Sequence, residues 1–103
     1  MIVISVMYPY TEGARFDWDY YTTSHRKLVE DAFGPTGMAS VQMLKGVSSP
    51  GGGPPPYEVI ALLTWPDQAA MVATMTGPRV GEVQGDLPNF TDIAPVRQIS
   101  QVA

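Results

Sequence analysis

Apolar residues fill both sides of an alternating stretch at the start of the chain. Ile2, Ile4, Val6 and Tyr8 fall on one side, with Val3, Ser5 and Met7 on the other. That is the pattern of a central strand covered on both faces. From Phe16 to Phe33 the period changes: at about 100° per residue, Trp18, Tyr21, His25, Leu28, Val29 and Ala32 form one stripe. Asp19, Thr23, Arg26, Lys27, Glu30 and Asp31 gather opposite, so the segment predicts an amphipathic helix with its apolar stripe buried. Tyr20 falls on the solvated side. Asp17 is placed to cap the helix, Phe16 and Tyr21 have the spacing of a hydrophobic staple, and Gly34-Pro35 ends it.

Met38 to Val47 alternates again and predicts a second strand, apolar on much of both faces. Ser48 to Pro56, SSPGGGPPP, joins flexible glycines to a stiff triple proline, which suits a long exposed loop rather than a tight hairpin turn. Tyr57 to Trp65 is a third strand. Pro66-Asp67 opens a second helix to Met75, whose Ala69, Ala70 and Ala73 would allow close approach to a sheet. Gly77-Pro78 breaks it, Arg79 to Gln84 suits one more helical turn, and Ile93 to Val102 is a last strand, placed by Pro95 at an edge or a bulge. The order strand, helix, strand, strand, helix, strand is the α+β, ferredoxin-like βαββαβ plan: a four-stranded antiparallel sheet with two helices on one face. The other face would be bare and apolar, and packing it against a second copy predicts a homodimer joined sheet to sheet.

Composition narrows the setting. The 103 residues suit a single domain spanning the whole chain. The net charge is −4 and the bases Arg15, Arg26, Lys27, Lys45, Arg79 and Arg97 are scattered, which disfavours nucleic acid and anionic membranes as partners. No window reaches the ~20 apolar residues of a membrane span, and MIVISVMYPY reads as a strand rather than a signal peptide. Cysteine is absent, which removes disulfide and thiolate chemistry and fits a cytoplasmic protein. The sequon-like Asn89-Phe90-Thr91 accordingly carries little weight.

Candidate chemistry then converges on His25, the only histidine. An imidazole on a buried helix face must find a hydrogen-bond partner, and desolvation tends to keep it neutral, so that it can accept or relay a proton. It can equally be a satisfied core histidine bonded to a tyrosine hydroxyl or a backbone carbonyl. Tyr8, Trp18, Tyr21, Trp65 and Phe90 could wall a mostly apolar substrate pocket, or simply pack the core or a dimer interface. Among them Tyr8 and Tyr21 carry hydroxyls that could orient His25 or a substrate oxygen. One histidine with scattered acids does not make a common zinc site, and Asp17 with Asp19 reads as favourable charge at a helix N-terminus. The glycine run lacks a following Gly-Lys-Ser/Thr, and no G-x-S-x-G is present. Neither a metal nor an organic cofactor is expected.

The opening strand with Tyr-Pro, then GARFDWDYYTTSHRKLV, Gly-Pro and a second strand, and later Asn89-Phe90-Thr91-Asp92 before a strand holding Gln98, resemble the EthD family. This group is named for ethyl tert-butyl ether degradation and lies within the dimeric α+β barrel superfamily. The resemblance covers nearly the whole chain and is most specific at F-D-x-x-Y-Y followed by the helical histidine. Where the family typically has His-Met-Pro-Leu-Val, this chain has His25-Arg26-Lys27-Leu28-Val29. The resemblance implies a pocket between the helices and the sheet. Its founding member is associated with an ether-degrading oxygenase system, and neighbouring families include cofactor-free monooxygenases, polyketide cyclases and lactone isomerases. One expectation is therefore a cofactor-free enzyme in which His25 is general base on a hydrophobic, oxygenated substrate while the Tyr21 hydroxyl steadies the developing oxyanion. A second is a binding or accessory protein that carries a hydrophobic small molecule to an oxygenase partner. A third is a dimer without ligand, its cavity filled by side chains.

Overall fold

In the computed structural model, which describes residues 1–103, the first alternating stretch becomes β1 (Ile2–Pro9), an interior strand of the sheet. It pairs antiparallel with β3 (Tyr57–Trp65) on one side and β4 (Val96–Gln101) on the other. β2 (Ser40–Lys45) lies outside β3, so the strand order is β2-β3-β1-β4. Register decides what each face carries, because side chains directly opposite one another share a face. Ile2, Ile4, Val6 and Tyr8 stand opposite Trp65, Leu63, Ala61 and Val59. Val41 and Met43 extend that face on β2, and Arg97 and Ile99 extend it on β4.

The helices cover this face over β1, β2 and β3 and leave Arg97 and Ile99 on β4 exposed. α1 (Trp18–Tyr20), a π-helical turn at Tyr21–His25 and α2 (Arg26–Phe33) run as one continuous helix. Its start is built as the sequence predicts: the Asp17 carboxylate accepts from the Tyr20 amide at 3.0 Å, and the Phe16 and Tyr21 rings meet at 4.9 Å. Its end passes through a 3₁₀ turn, Gly34–Thr36, into Gly37 at φ 118°. A side chain there would be strained, and its Cβ would also meet the Ala70 Cβ at 3.0 Å. α3 (Gln68–Met75) starts at Asp67, which accepts from the Ala70 amide at 2.9 Å. α4 (Val80–Gly85) and a 3₁₀ turn at Leu87–Asn89 complete the layer. The result is the α+β, ferredoxin-like arrangement expected from the element order.

Several local expectations change. The helix through His25 is not uniformly α-helical. α3 turns Met71 and Thr74 inward and leaves Ala69 and Ala73 exposed, so Ala70 alone makes the close approach, against Gly37. Thr74 is buried because it serves the core: its hydroxyl accepts from the Trp65 indole at 2.9 Å. The last strand is an edge strand, as Pro95 predicts, but it begins only at Val96, leaving Pro95 outside the ladder. On the sheet face away from the helices, Val3, Met7, Ile60 and Leu62 are half-buried, and Leu44 and Val96 are exposed. No helix is long and apolar enough to cross a membrane.

Removing the cap that sets the first helix should cost what an exposed N-cap is worth. Asp17→Ala is expected to lower unfolding stability by about 1 kcal/mol in urea titrations, with the helix and sheet signatures unchanged. A loss indistinguishable from zero would contradict the assigned cap.

Candidate functional site

The π turn carries the central pair of the site at its two ends. Tyr21 and His25 point inward and are buried, while Thr22, Thr23 and Ser24 between them face out. Widening a helix by one residue disturbs its amide ladder, and the Thr22 and Thr23 hydroxyls donate to the carbonyls of Trp18 and Asp19, at 2.8 and 2.5 Å. The phenol and the imidazole stack with centroids 5.6 Å apart and planes 15° from parallel.

The partner of the imidazole comes from the far end of the chain. His25 Nδ1 lies 2.8 Å from Oδ2 of Asp86, the residue that closes α4. The other carboxylate oxygen accepts from the Tyr20 hydroxyl at 2.7 Å and from Asn89 Nδ2 at 2.8 Å. Behind the imidazole, the Phe90 ring lies 4.5 Å away between centroids. The turn that carries Asn89 is held in turn by Arg15, whose guanidinium donates to the carbonyls of Pro88 and Asn89.

Charge within this network is set by burial against hydrogen bonding. Burial acts most strongly on Asp86 and would raise its carboxyl, but the bonds from Tyr20, Asn89 and His25 together hold it below its ordinary value. Burial also dominates at His25 and depresses it, with Asp86 only partly offsetting the effect. Near neutral pH the pair is therefore a carboxylate and a neutral imidazole. A carboxylate can only accept, so Nδ1 carries the ring proton and Nε2 keeps its lone pair.

His25 lines a cavity of about 70 Å³ between the helices and the sheet, walled mainly by aliphatic and aromatic side chains. Besides His25, the polar side chains at its wall are Tyr8, Tyr21, Gln84 and Arg97. The Tyr21 hydroxyl is buried without any hydrogen-bond partner. Burial raises the Tyr21 phenol, and it pushes Tyr8 up to about 12 despite the opposing charge of Arg97, so both remain proton donors. No group of three or more His, Asp or Glu side chains comes together to hold a metal ion. The arrangement offers one base and several donors in an apolar space, suited to taking a proton from a ligand and holding the oxygen that becomes negative.

Of the residues the sequence nominates, His25, Tyr21 and Tyr8 meet at this cavity. Trp18, Trp65 and Phe90 are not in its wall. Trp18 packs beside Phe16 with the Lys45 ammonium 4.9 Å above its ring. Trp65 is fully buried and bonded to Thr74, and Phe90 backs the imidazole. The tyrosine hydroxyls considered as orienting groups for His25 do not bond to it; Asp86 does. Asp86 carries no sequence signal beyond the general need of a buried imidazole for a partner, and Asn89 stands out only as part of the family-like Asn89-Phe90-Thr91-Asp92 stretch. Tyr20, placed on the solvated side by helical periodicity, is half-buried against Asp86.

Comparison with known proteins places the chain in a family and a fold. The EthD domain matches residues 12–94. An EthD-like protein of Ralstonia eutropha JMP134 is 40% identical over 97% of this chain and 89% of its own, with a TM-score of 0.87. An ethyl tert-butyl ether degradation (EthD) family protein of Bacillus halodurans C-125 is 16% identical over 100% of this chain and 99% of its own, with a TM-score of 0.78. The fold extends to an antibiotic biosynthesis monooxygenase, 14% identical over 100% of this chain and 99% of its own, with a TM-score of 0.58. No curated protein matches the chain. The chain belongs to the EthD family, on an α+β fold that it shares with monooxygenase-like relatives.

Two titrations check the electrostatics. Since His25 is held below its ordinary 6.5 in the folded chain, the unfolded chain takes up that proton first as the pH falls. The contribution of His25 to stability is thus constant above that value and declines as the pH drops toward the lower folded pKa. His25→Gln should flatten the stability profile in that window. Asp86→Asn removes the group that raises the imidazole, so an NMR titration should place the His25 pKa lower still. An unchanged or higher value would contradict the assigned pairing.

Proposed function

We propose that the chain is a small-molecule enzyme in which His25, oriented by Asp86, acts as general base on an acidic C–H or O–H of a compact, hydrophobic, oxygenated substrate. Tyr21, with Tyr8 beside it, donates to the oxyanion that develops. One observation carries the proposal: the single buried imidazole has Nδ1 committed to a carboxylate while Nε2 has no protein partner, in a cavity whose wall also includes Tyr21, with its buried and unpartnered hydroxyl. A base so placed typically contributes ~10²- to 10⁴-fold. That suits isomerisation, cyclisation, or deprotonation ahead of reaction with oxygen, without a metal or organic cofactor. The same cavity would serve a carrier that delivers a hydrophobic molecule to an oxygenase, and such a carrier needs no base.

The working unit in this proposal is a cytoplasmic homodimer. Val3, Met7, Ile60, Leu62, Leu44 and Val96 share the sheet face that no helix covers, and a second copy of that face would remove them from water.

Base action can be read without the natural substrate by following hydrogen–deuterium exchange of acetylacetone, a compact carbon acid, in D₂O by NMR. The wild-type protein should accelerate exchange and His25→Gln should lose ~10²- to 10⁴-fold of the protein-dependent rate. Equal rates in the two proteins would remove the base, and retained binding without exchange would favour the carrier. Native mass spectrometry should give twice the chain mass for the wild type and a single chain for Leu62→Glu. A monomeric wild type would contradict the dimer.

A further inference from the structure

The chain has four arginines, and three of them have acceptors. Arg15 donates to the Pro88 and Asn89 carbonyls, Arg26 to Glu30 and the Val41 carbonyl, and Arg79 to Glu82 and the Asp31 carbonyl. Arg97 has none, although it stands at the wall of the cavity. Its place follows from register: it pairs opposite Val6 on β4, so it shares the helix-covered face of the sheet with Tyr8. Its charge reaches the Tyr8 hydroxyl strongly enough to oppose the effect of burial there. Tyr21 lines the same wall, and its buried hydroxyl is a second unused donor without an acceptor.

The polar inventory of the cavity is therefore lopsided. It offers a guanidinium and two phenolic O–H groups, against one lone pair on His25 and the Gln84 amide. A hydrocarbon or a weakly polar neutral ligand would leave the buried Tyr21 donor unpaired and would give the exposed Arg97 guanidinium no counter-charge. An anionic oxygen would satisfy both. The protein as a whole does not attract anions, since its net charge is −4, so a preference for one would report the local guanidinium.

Size sets a second limit. The cavity, about 70 Å³, is smaller than a void of about 150 Å³ known to hold benzene. A single ring would require its flexible wall residues, Met43 and Met75 among them, to give way.

Resting on the assignment of this cavity as a ligand site, we propose that its ligand is a compact apolar monoanion whose oxygen terminus pairs with the Arg97 guanidinium and accepts from Tyr21. The terminus is a carboxylate or the ionised oxygen of an acidic enol or phenol. Arg97 is the residue that determines this specificity, and the apolar wall receives the rest of the molecule.

The test uses benzoate as carboxylate, 4-nitrophenol as acidic phenol and benzamide as the neutral isostere of benzoate. They are titrated calorimetrically in mildly alkaline solution, with 4-nitrophenolate also followed by its absorbance. At least one anion should bind about tenfold or more tighter than benzamide, and which one does so identifies the terminus. Arg97→Met, which keeps the aliphatic stem on an exposed strand, should abolish the preference. Arg97→Lys should retain part of it, and Tyr21→Phe should weaken the anion more than benzamide. Benzamide binding as tightly as either anion, with Arg97→Met without effect, would overturn the inference and leave the cavity as a ligand site. Failure of all three ring-sized probes to bind would overturn the inference, and the acetylacetone exchange then decides separately whether the cavity is a ligand site.

Discussion

An imidazole enclosed between a helix and a sheet must give its N–H to an acceptor, and the rest of the site follows from the acceptor being Asp86. That carboxylate stays ionised in a partly buried place because Tyr20 and Asn89 donate to it as well. The segment carrying Asp86 and Asn89 is fastened to the chain ahead of the first helix in several ways. Arg15 holds the carbonyls of the Leu87–Asn89 turn, Asp17 donates its amide to the Phe90 carbonyl at 2.7 Å, and Phe16 bridges to Thr91. Residues more than sixty positions apart are thus locked together around one histidine.

Division of labour across the sheet completes the arrangement. At one end of the helix-covered face, Trp65, Phe33 and Met71 belong to the larger apolar core, with the indole N–H satisfied by Thr74. At the other end, Tyr8, Tyr21 and Phe90 form a separate aromatic cluster around His25. The first cluster supplies stability by burying apolar area. The cavity lies where the two meet: the first gives it an apolar wall that includes Ile4, Val29, Phe33 and Leu63, and the second adds Tyr8 and Tyr21. Tyr21 and His25, at the two ends of the π turn, stack on one inward face.

The sequence reveals elements more readily than partners. The alternation over Ile2–Tyr8 and Tyr57–Trp65, and the capped stripe from Trp18 to Ala32, lead to the ferredoxin-like plan because period and capping are local properties. His25, Tyr8 and Tyr21 could be nominated for the same reason: an inward imidazole and inward phenols are visible as positions on a stripe. Asp86 could not be found this way. It sits in a Gly-Asp-Leu-Pro segment that reads as chain punctuation, and among ten acidic residues nothing local distinguishes it. The π turn was equally hidden, since it departs from the fixed 100° step on which the stripe was drawn. Tyr20 was misplaced for a related reason, because the outer face of an isolated helix becomes an inner face where Asp86 and Asn89 pack against it.

The proposed chemistry requires a single protonation state at the centre of the site. Observing the two ring nitrogens of His25 by ¹⁵N–¹H correlation NMR in the wild-type protein near neutral pH tests this directly. The neutral tautomer with its proton on Nδ1 and an unprotonated Nε2 is the predicted result. A proton on Nε2, in either the neutral ring or the imidazolium, would mean that the cavity faces a donor instead of a base, and would contradict the account.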